Sequence, residues 1–295
     1  MISQEIARKV RHIQITARRV VNSMLGGDYT SVFRGQGIEF HDVRLYQPGD
    51  EIRTIDWNVT ARTGETYIKR FVEERELTVL FAVDASASGL FGSTGRSKAE
   101  VAAELAAIIA FAAIRHNDRV GLIIFTDSIE LFIPPKKGTK HVLRMVSELL
   151  SFSPKHTGTS IGKVLDFVGR VMRRRVTVFL VSDFIDSNYK EQLKRTSKHH
   201  DMVAVSVLDP HERELPNIGL ILLEDAESHE KVIVDTGSKK VRIEYAKKSK
   251  ERKNDLTKFL RKVGVDHIEI QTEQSWLKNL FQFFKDRESR LIRGR

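Results

Sequence analysis

The stretch VLFAVDASASGLFG, residues 79–92, decides the fold. It opens on apolar residues without alternation, the pattern of a strand buried on both faces. It then places Asp84, Ser86 and Ser88 on alternate positions. A strand that only packed would not need three oxygen-bearing side chains at its carboxyl end, so a site is expected there.

Working outward, strand and helix patterns alternate. Residues 77–83 read as a strand, 97–116 as a long helix and RVGLIIF, 119–125, as a second strand. SIELFIP, after Asp127, reads as its hairpin partner. Helices are expected at 140–150 and 161–174, a buried strand in VTVFLVSD, 176–183, a helix at 189–199 and a strand in MVAVSVLDP, 202–210. This alternation predicts a parallel sheet covered on both faces. GLILLED and KVIVDT suggest a hairpin inserted near 219–236. A charged helix at 246–263, a strand in DHIEIQT and a helix at 275–286 follow.

Towards the amino terminus, Ile2, Ile6, Ile13, Ala17, Val20 and Met24 share one helical face, and Gly26-Gly27 would end that helix. Residues 33–62, FRGQGIEFHDVRLYQPGDEIRTIDWNVTAR, are dense in glycine, arginine and carboxylates. Irregular structure with short strands is expected, with a turn at Pro48-Gly49-Asp50. Arg34, Arg44, Arg53 and Arg62 stand among Glu39, Asp42, Asp50 and Asp56, so bidentate pairs would order the segment. A docking surface using Trp57 is the alternative.

The 295 residues are 41% hydrophobic, enough for a full core, and contain no cysteine, which removes disulfides and thiolate metal sites. The opening MISQEIARKVRHIQ has no apolar block after its charges, so no signal peptide is expected. The longest apolar stretch, 101–114, carries Glu104 and is too short to span a bilayer. A cytoplasmic protein is expected. The net charge of +10 is uneven: residues 236–295 hold 17 basic against 8 acidic residues. Nucleic acid is one partner such a bias suits. With no aromatic residues interleaved to stack bases, a solvated helix surface is the simpler reading.

Ligands of open parallel α/β sheets collect at the carboxyl ends of strands. Asp84, Ser86 and Ser88 end one strand, and Asp183 ends another. The loop KHTGTSIG, 155–162, holds Thr157, Thr159 and Ser160 before a helix. These donors are hard oxygens, which favour magnesium, with manganese or calcium as alternatives, over zinc or copper.

Asp-x-Ser-x-Ser, a loop threonine and an aspartate after a later strand resemble the metal-ion-dependent adhesion site of von Willebrand factor A domains. The resemblance implies metal contacts through the hydroxyls of Ser86, Ser88 and Thr159, with Asp84 and Asp183 acting through water. Thr159 is preferred to Thr157 because it follows a glycine and precedes a helix. An acidic residue of a protein partner would fill the open position. The segments RGQGIEFHDVRLYQPGDEIRTIDWNVTAR, YIKRFVEERELTVLFAVDASAS and VSDF also resemble domain-of-unknown-function family 58. That resemblance implies a von Willebrand A-like domain behind an amino-terminal region, and genes beside MoxR-type AAA+ ATPases.

Competing motifs are weaker. Haloacid-dehalogenase-type phosphotransfer needs Asp-x-Asp, and the second position here is Ser86. GQGIEF lacks the third glycine of a dinucleotide fingerprint, and GTSIGKV is one residue short of a P-loop, so ATP binding by this chain is not expected. His116, His199, His200 and His211 are scattered. Trp276, Leu280, Phe281, Phe283 and Phe284 read as core packing.

The expected fold is therefore α/β, a Rossmann-like von Willebrand factor A domain over residues 77–295. Residues 1–76 would form a helix and an Arg/Gly-rich segment. The expected function is a non-enzymatic, metal-dependent interaction module, an adaptor for a MoxR-type ATPase in complex assembly or maturation. The alternative is a metal-dependent phosphoester hydrolase.

Overall fold

The computed structural model describes residues 4–24, 37–74, 76–90, 92, 95–186, 188–224, 230–273 and 276–293. Gly26-Gly27, Arg34 and Ile2 lie outside them. The central sheet has six strands: β3 (Thr78–Asp84), β4 (Arg119–Phe125), β5 (Ile129–Lys136), β6 (Thr177–Ser182), β7 (Asp201–Leu208) and β10 (Asp266–Gln271). Their spatial order is β10-β7-β6-β3-β4-β5. All neighbours are parallel except β5, which runs antiparallel to β4 at one edge. β3 lies mid-sheet, where the winding reverses, so its carboxyl end faces the crevice in which such folds bind ligands.

Helices cover both faces, as the uninterrupted apolar strands require. One face carries α1 (Gln4–Met24), α3 (Lys98–Arg115), α4 (Thr139–Ser151) and α8 (Leu277–Arg293). The other carries α5 (Ile161–Val171), α6 (Lys190–His199) and α7 (Lys239–Val263). α3 is apolar nearly all round, and the packing explains it: the sheet lies on one side, and α1 and α4 on the other. From α1, Ile13, Ala17, Val20 and Val21 join that core, as do Trp276, Leu280, Phe283 and Phe284 of the last helical segment.

Before the sheet, β1 (Gly37–Leu45) pairs antiparallel with β2 (Tyr67–Glu74) in a separate ribbon, joined through the short helix α2 (Trp57–Thr63). The expected turn is present, with Gly49 at φ +107°. The expected arginine–carboxylate order is seen at Arg44, whose Nη1 and Nη2 reach Asp50 at 2.8 and 2.7 Å. Asp56 instead caps α2, accepting from the Asn58 and Val59 amides. Trp57 is exposed.

β8 (Leu220–Glu224) and β9 (Lys231–Asp235) form the inserted hairpin, a two-stranded sheet of its own. α7 starts at Lys239, seven residues before the expected position. Among the described residues no helix is long and apolar enough to cross a membrane.

Candidate functional site

Main-chain bonds bring three segments together at the end of β3. The Ala85 amide donates to the Phe125 carbonyl at 2.8 Å and the Ala87 amide to the Thr157 carbonyl at 3.1 Å. The Ser160 amide donates to the Thr126 carbonyl at 2.9 Å, which holds the 155–160 loop against the sheet. β6 pairs directly with β3, so the residues after Ser182 emerge beside Asp84.

All five expected site residues lie on these segments. The Ser86 and Ser88 Oγ atoms are 3.1 Å apart, and the Ser86 amide donates to Asp84 Oδ1 at 2.9 Å. The Thr159 hydroxyl stands 3.5 and 3.4 Å from the two Asp84 oxygens. Thr157 is exposed and meets this region through its carbonyl. Asp183 lies one residue past β6, and its Oδ1 accepts the Ile185 amide at 3.2 Å. Phe184, between them, has φ +60°, a left-handed conformation that a bulky residue adopts only where surrounding contacts enforce it.

Two further residues belong to the cluster. The Ser182 hydroxyl donates to Asp84 Oδ2 at 2.8 Å and accepts the Phe184 amide. Lys98 extends its ammonium to Asp183 Oδ2 at 3.4 Å and pairs with Glu212. Ser182 was in view in the motif VSDF, but its role needed the β3–β6 pairing. Lys98 had a fainter signal. It opens a helix, where a cation opposes the macrodipole and usually needs a carboxylate nearby.

The electrostatics are those of crowded negative charge. The Asp84 carboxyl is pushed up to about 6, first by burial and then by Asp183, against hydrogen bonds from Ser86 and Ser182. Beside Lys98, a cavity of about 20 Å³ is lined by Asp84, Ser88, Ser182 and Asp183 and, over most of its wall, by apolar residues such as Ala102, Val181 and Val207. That is room for about one water-sized occupant. With two carboxylates and hydroxyls converging, the donor chemistry fits a hard divalent cation. Among the described residues no three His, Cys, Asp or Glu side chains converge as a metal cluster. The candidate set is instead built mainly from hydroxyls. Beyond it, a groove of about 1380 Å³ runs from Ser88 and Asp183 past Tyr189 and Phe259 to Ile218 and Val232.

The sheet is doubly wound with an antiparallel edge, and the oxygen cluster stands at the carboxyl end of its central strand, the α/β architecture expected from the sequence. The chain belongs to the family described as Protein of unknown function DUF58, which it matches over residues 42–255. The uncharacterized protein Rv1480 of Mycobacterium tuberculosis is 29% identical over 295 residues, covering 98% of this chain and 92% of that one. The uncharacterized protein MAV169 of Mycobacterium avium is 28% identical over 138 residues, 46% of this chain and 80% of that protein. Among solved structures, the conserved hypothetical protein BatB from Bacteroides thetaiotaomicron aligns with a TM-score of 0.47 at 19% identity, covering 72% of this chain and 99% of BatB. The SpRpn10 VWA domain aligns with a TM-score of 0.39 at 11% identity, covering 70% and 95%.

Proposed function

We propose that this protein is a non-enzymatic interaction module whose oxygen cluster holds a divalent cation, magnesium first, with manganese or calcium as alternatives. The observation that carries the reading is the oxygen cluster itself: the Ser86 and Ser88 hydroxyls lie 3.1 Å apart, the Thr159 hydroxyl stands 3.4 Å from Asp84, and the charge of Asp183 bears on Asp84. Ser86, Ser88 and Thr159 would hold the ion through hydroxyls. Asp84 and Asp183 would balance its charge and orient water. Bound there, the ion supplies the positive charge that lets a partner's Asp or Glu approach two aspartates that would otherwise repel it. The rest of a partner segment has room in the groove that begins at Ser88 and Asp183. The family resemblance supplies the partner class: a MoxR-type AAA+ ATPase, with this chain as the adaptor to a client in complex assembly or maturation.

Titration calorimetry with magnesium chloride tests the ion, and co-purification of the ATPase with and without EDTA tests the partnership. Asp84→Ala is expected to lose magnesium binding and, with it, the EDTA-sensitive partner. Full retention of both by Asp84→Ala would sink the assignment. Hydrolysis of a phosphomonoester by the wild type, lost in Asp183→Ala, would replace it with the hydrolase alternative, in which the same ion acts as a Lewis acid.

A further inference from the structure

Lys98 is the cluster's least expected member. Its side chain is 5% exposed, as is that of Asp183, and it stands at the first position of α3 behind the Ser97 cap. A buried ammonium persists only where carboxylates compensate its lost hydration. Lys98 has two on different elements. Asp183, at 3.4 Å, belongs to the ion cluster. Glu212 belongs to the loop after β7 and lines the groove. Glu212 is itself fixed, because its Oε2 accepts the Asp209 amide at 2.9 Å and its carbonyl accepts the Ser249 hydroxyl of α7 at 3.0 Å. The ammonium therefore holds a carboxylate of the ion cluster and, at the same time, a carboxylate outside that cluster.

We propose that Lys98 is a tethered counter-cation that competes with the divalent ion for Asp183, and that Glu212 sets the strength of that competition by drawing the ammonium away. The inference rests on the ion-binding reading above. A divalent ion beside Asp183 must meet the ammonium's repulsion and share its carboxylate. Removing the ammonium charge removes both penalties. Removing the Glu212 charge leaves the ammonium wholly on Asp183 and strengthens the competition.

The two variants thus move ion affinity in opposite directions, which a purely structural role would not do. Calorimetry with manganese chloride alone, on the full chain, reads the effect. Lys98→Met is expected to bind manganese about tenfold or more tightly than wild type, a modest share of what a unit charge a few ångströms away exerts near a protein surface. Glu212→Gln is expected to bind several-fold more weakly, with its fold checked by circular dichroism. Binding by Lys98→Met alone would show the competition in its strongest form. Wild-type binding that Lys98→Met leaves unchanged or weakens would overturn this proposal while leaving the ion site standing. No binding by wild type or by Lys98→Met would fell the ion reading and this proposal with it. Should Lys98→Met fail to fold, Glu212→Gln decides alone: weaker binding than wild type supports the competition, and equal or tighter binding overturns it.

Discussion

Leu80 and Phe81 in β3, and Phe179 and Leu180 in β6, lie wholly inside the molecule. In the hairpin, Leu220 and Ile233 leave 74% and 72% of their surface in water. The residue types are alike and their uses differ. The central sheet buries apolar side chains on both faces, and that burial stabilises the fold. The hairpin stands apart from it, and Ile218, Leu222 and Val232 are exposed as well. Its exposed apolar surface is expected to contribute little to folding.

The comparison breaks first at Phe179. Its ring stacks on Phe81 at 5.4 Å in the middle of the sheet. Phe179→Ala is expected to cost about 3–5 kcal/mol, read as a lower denaturant midpoint. If the loss were under about 1 kcal/mol, the sheet would not be the tightly packed unit described.

A smaller effect separates the regions by pH. Burial lowers the pKa of His267, beside Ser206 in the sheet, and those of His200, just before β7, and His141, on α4. At these three groups the folded state binds fewer protons than the unfolded chain, whereas at Asp84, pushed up to about 6, it binds more. The histidines' contribution to stability is full above the unfolded value of about 6.5 and is lost as pH falls below it. Thermal melts of Asp84→Asn, which lacks that opposing carboxyl, should show a lower midpoint at pH 5.5 than at pH 7.5. His267→Gln should reduce that difference, and an unchanged difference would remove His267 from the account.

The smallest effect is expected in the hairpin. Ile233→Ser should change stability by less than about 0.5 kcal/mol in the denaturant assay that registers Phe179→Ala. A loss comparable with a core substitution would mean that the hairpin helps hold the fold together.

The same contrast explains what was legible in the sequence. Strands buried on both faces, such as residues 79–83, announce themselves as unbroken apolar runs. The β1–β2 ribbon does not, because much of its sequence is charged; short strands and a turn were expected there, but not the bounds of the strands or their pairing. The start of α7 was missed because KKVRIEY, 239–245, mixes charges with β-branched and aromatic residues and reads as a continuation of the hairpin. At the site, the Asp84, Ser86 and Ser88 spacing was visible because those residues are neighbours in the chain. Lys98 and Glu212 are 114 positions apart, and only the winding of the sheet brings them together.

Strand β5 carries one further consequence. Its Pro134 and Pro135 are successive residues without amide hydrogens, at the outer limit of the sheet. Pro135 lies over Gly121 of β4, where a Cβ would stand 2.9 Å from the proline ring. Lys136 and Lys137 follow. An incoming chain seeking to extend the sheet here meets missing donors and then positive charge. This border resists recruitment of another copy into a growing aggregate, even at the concentrations where a bare edge would seed one.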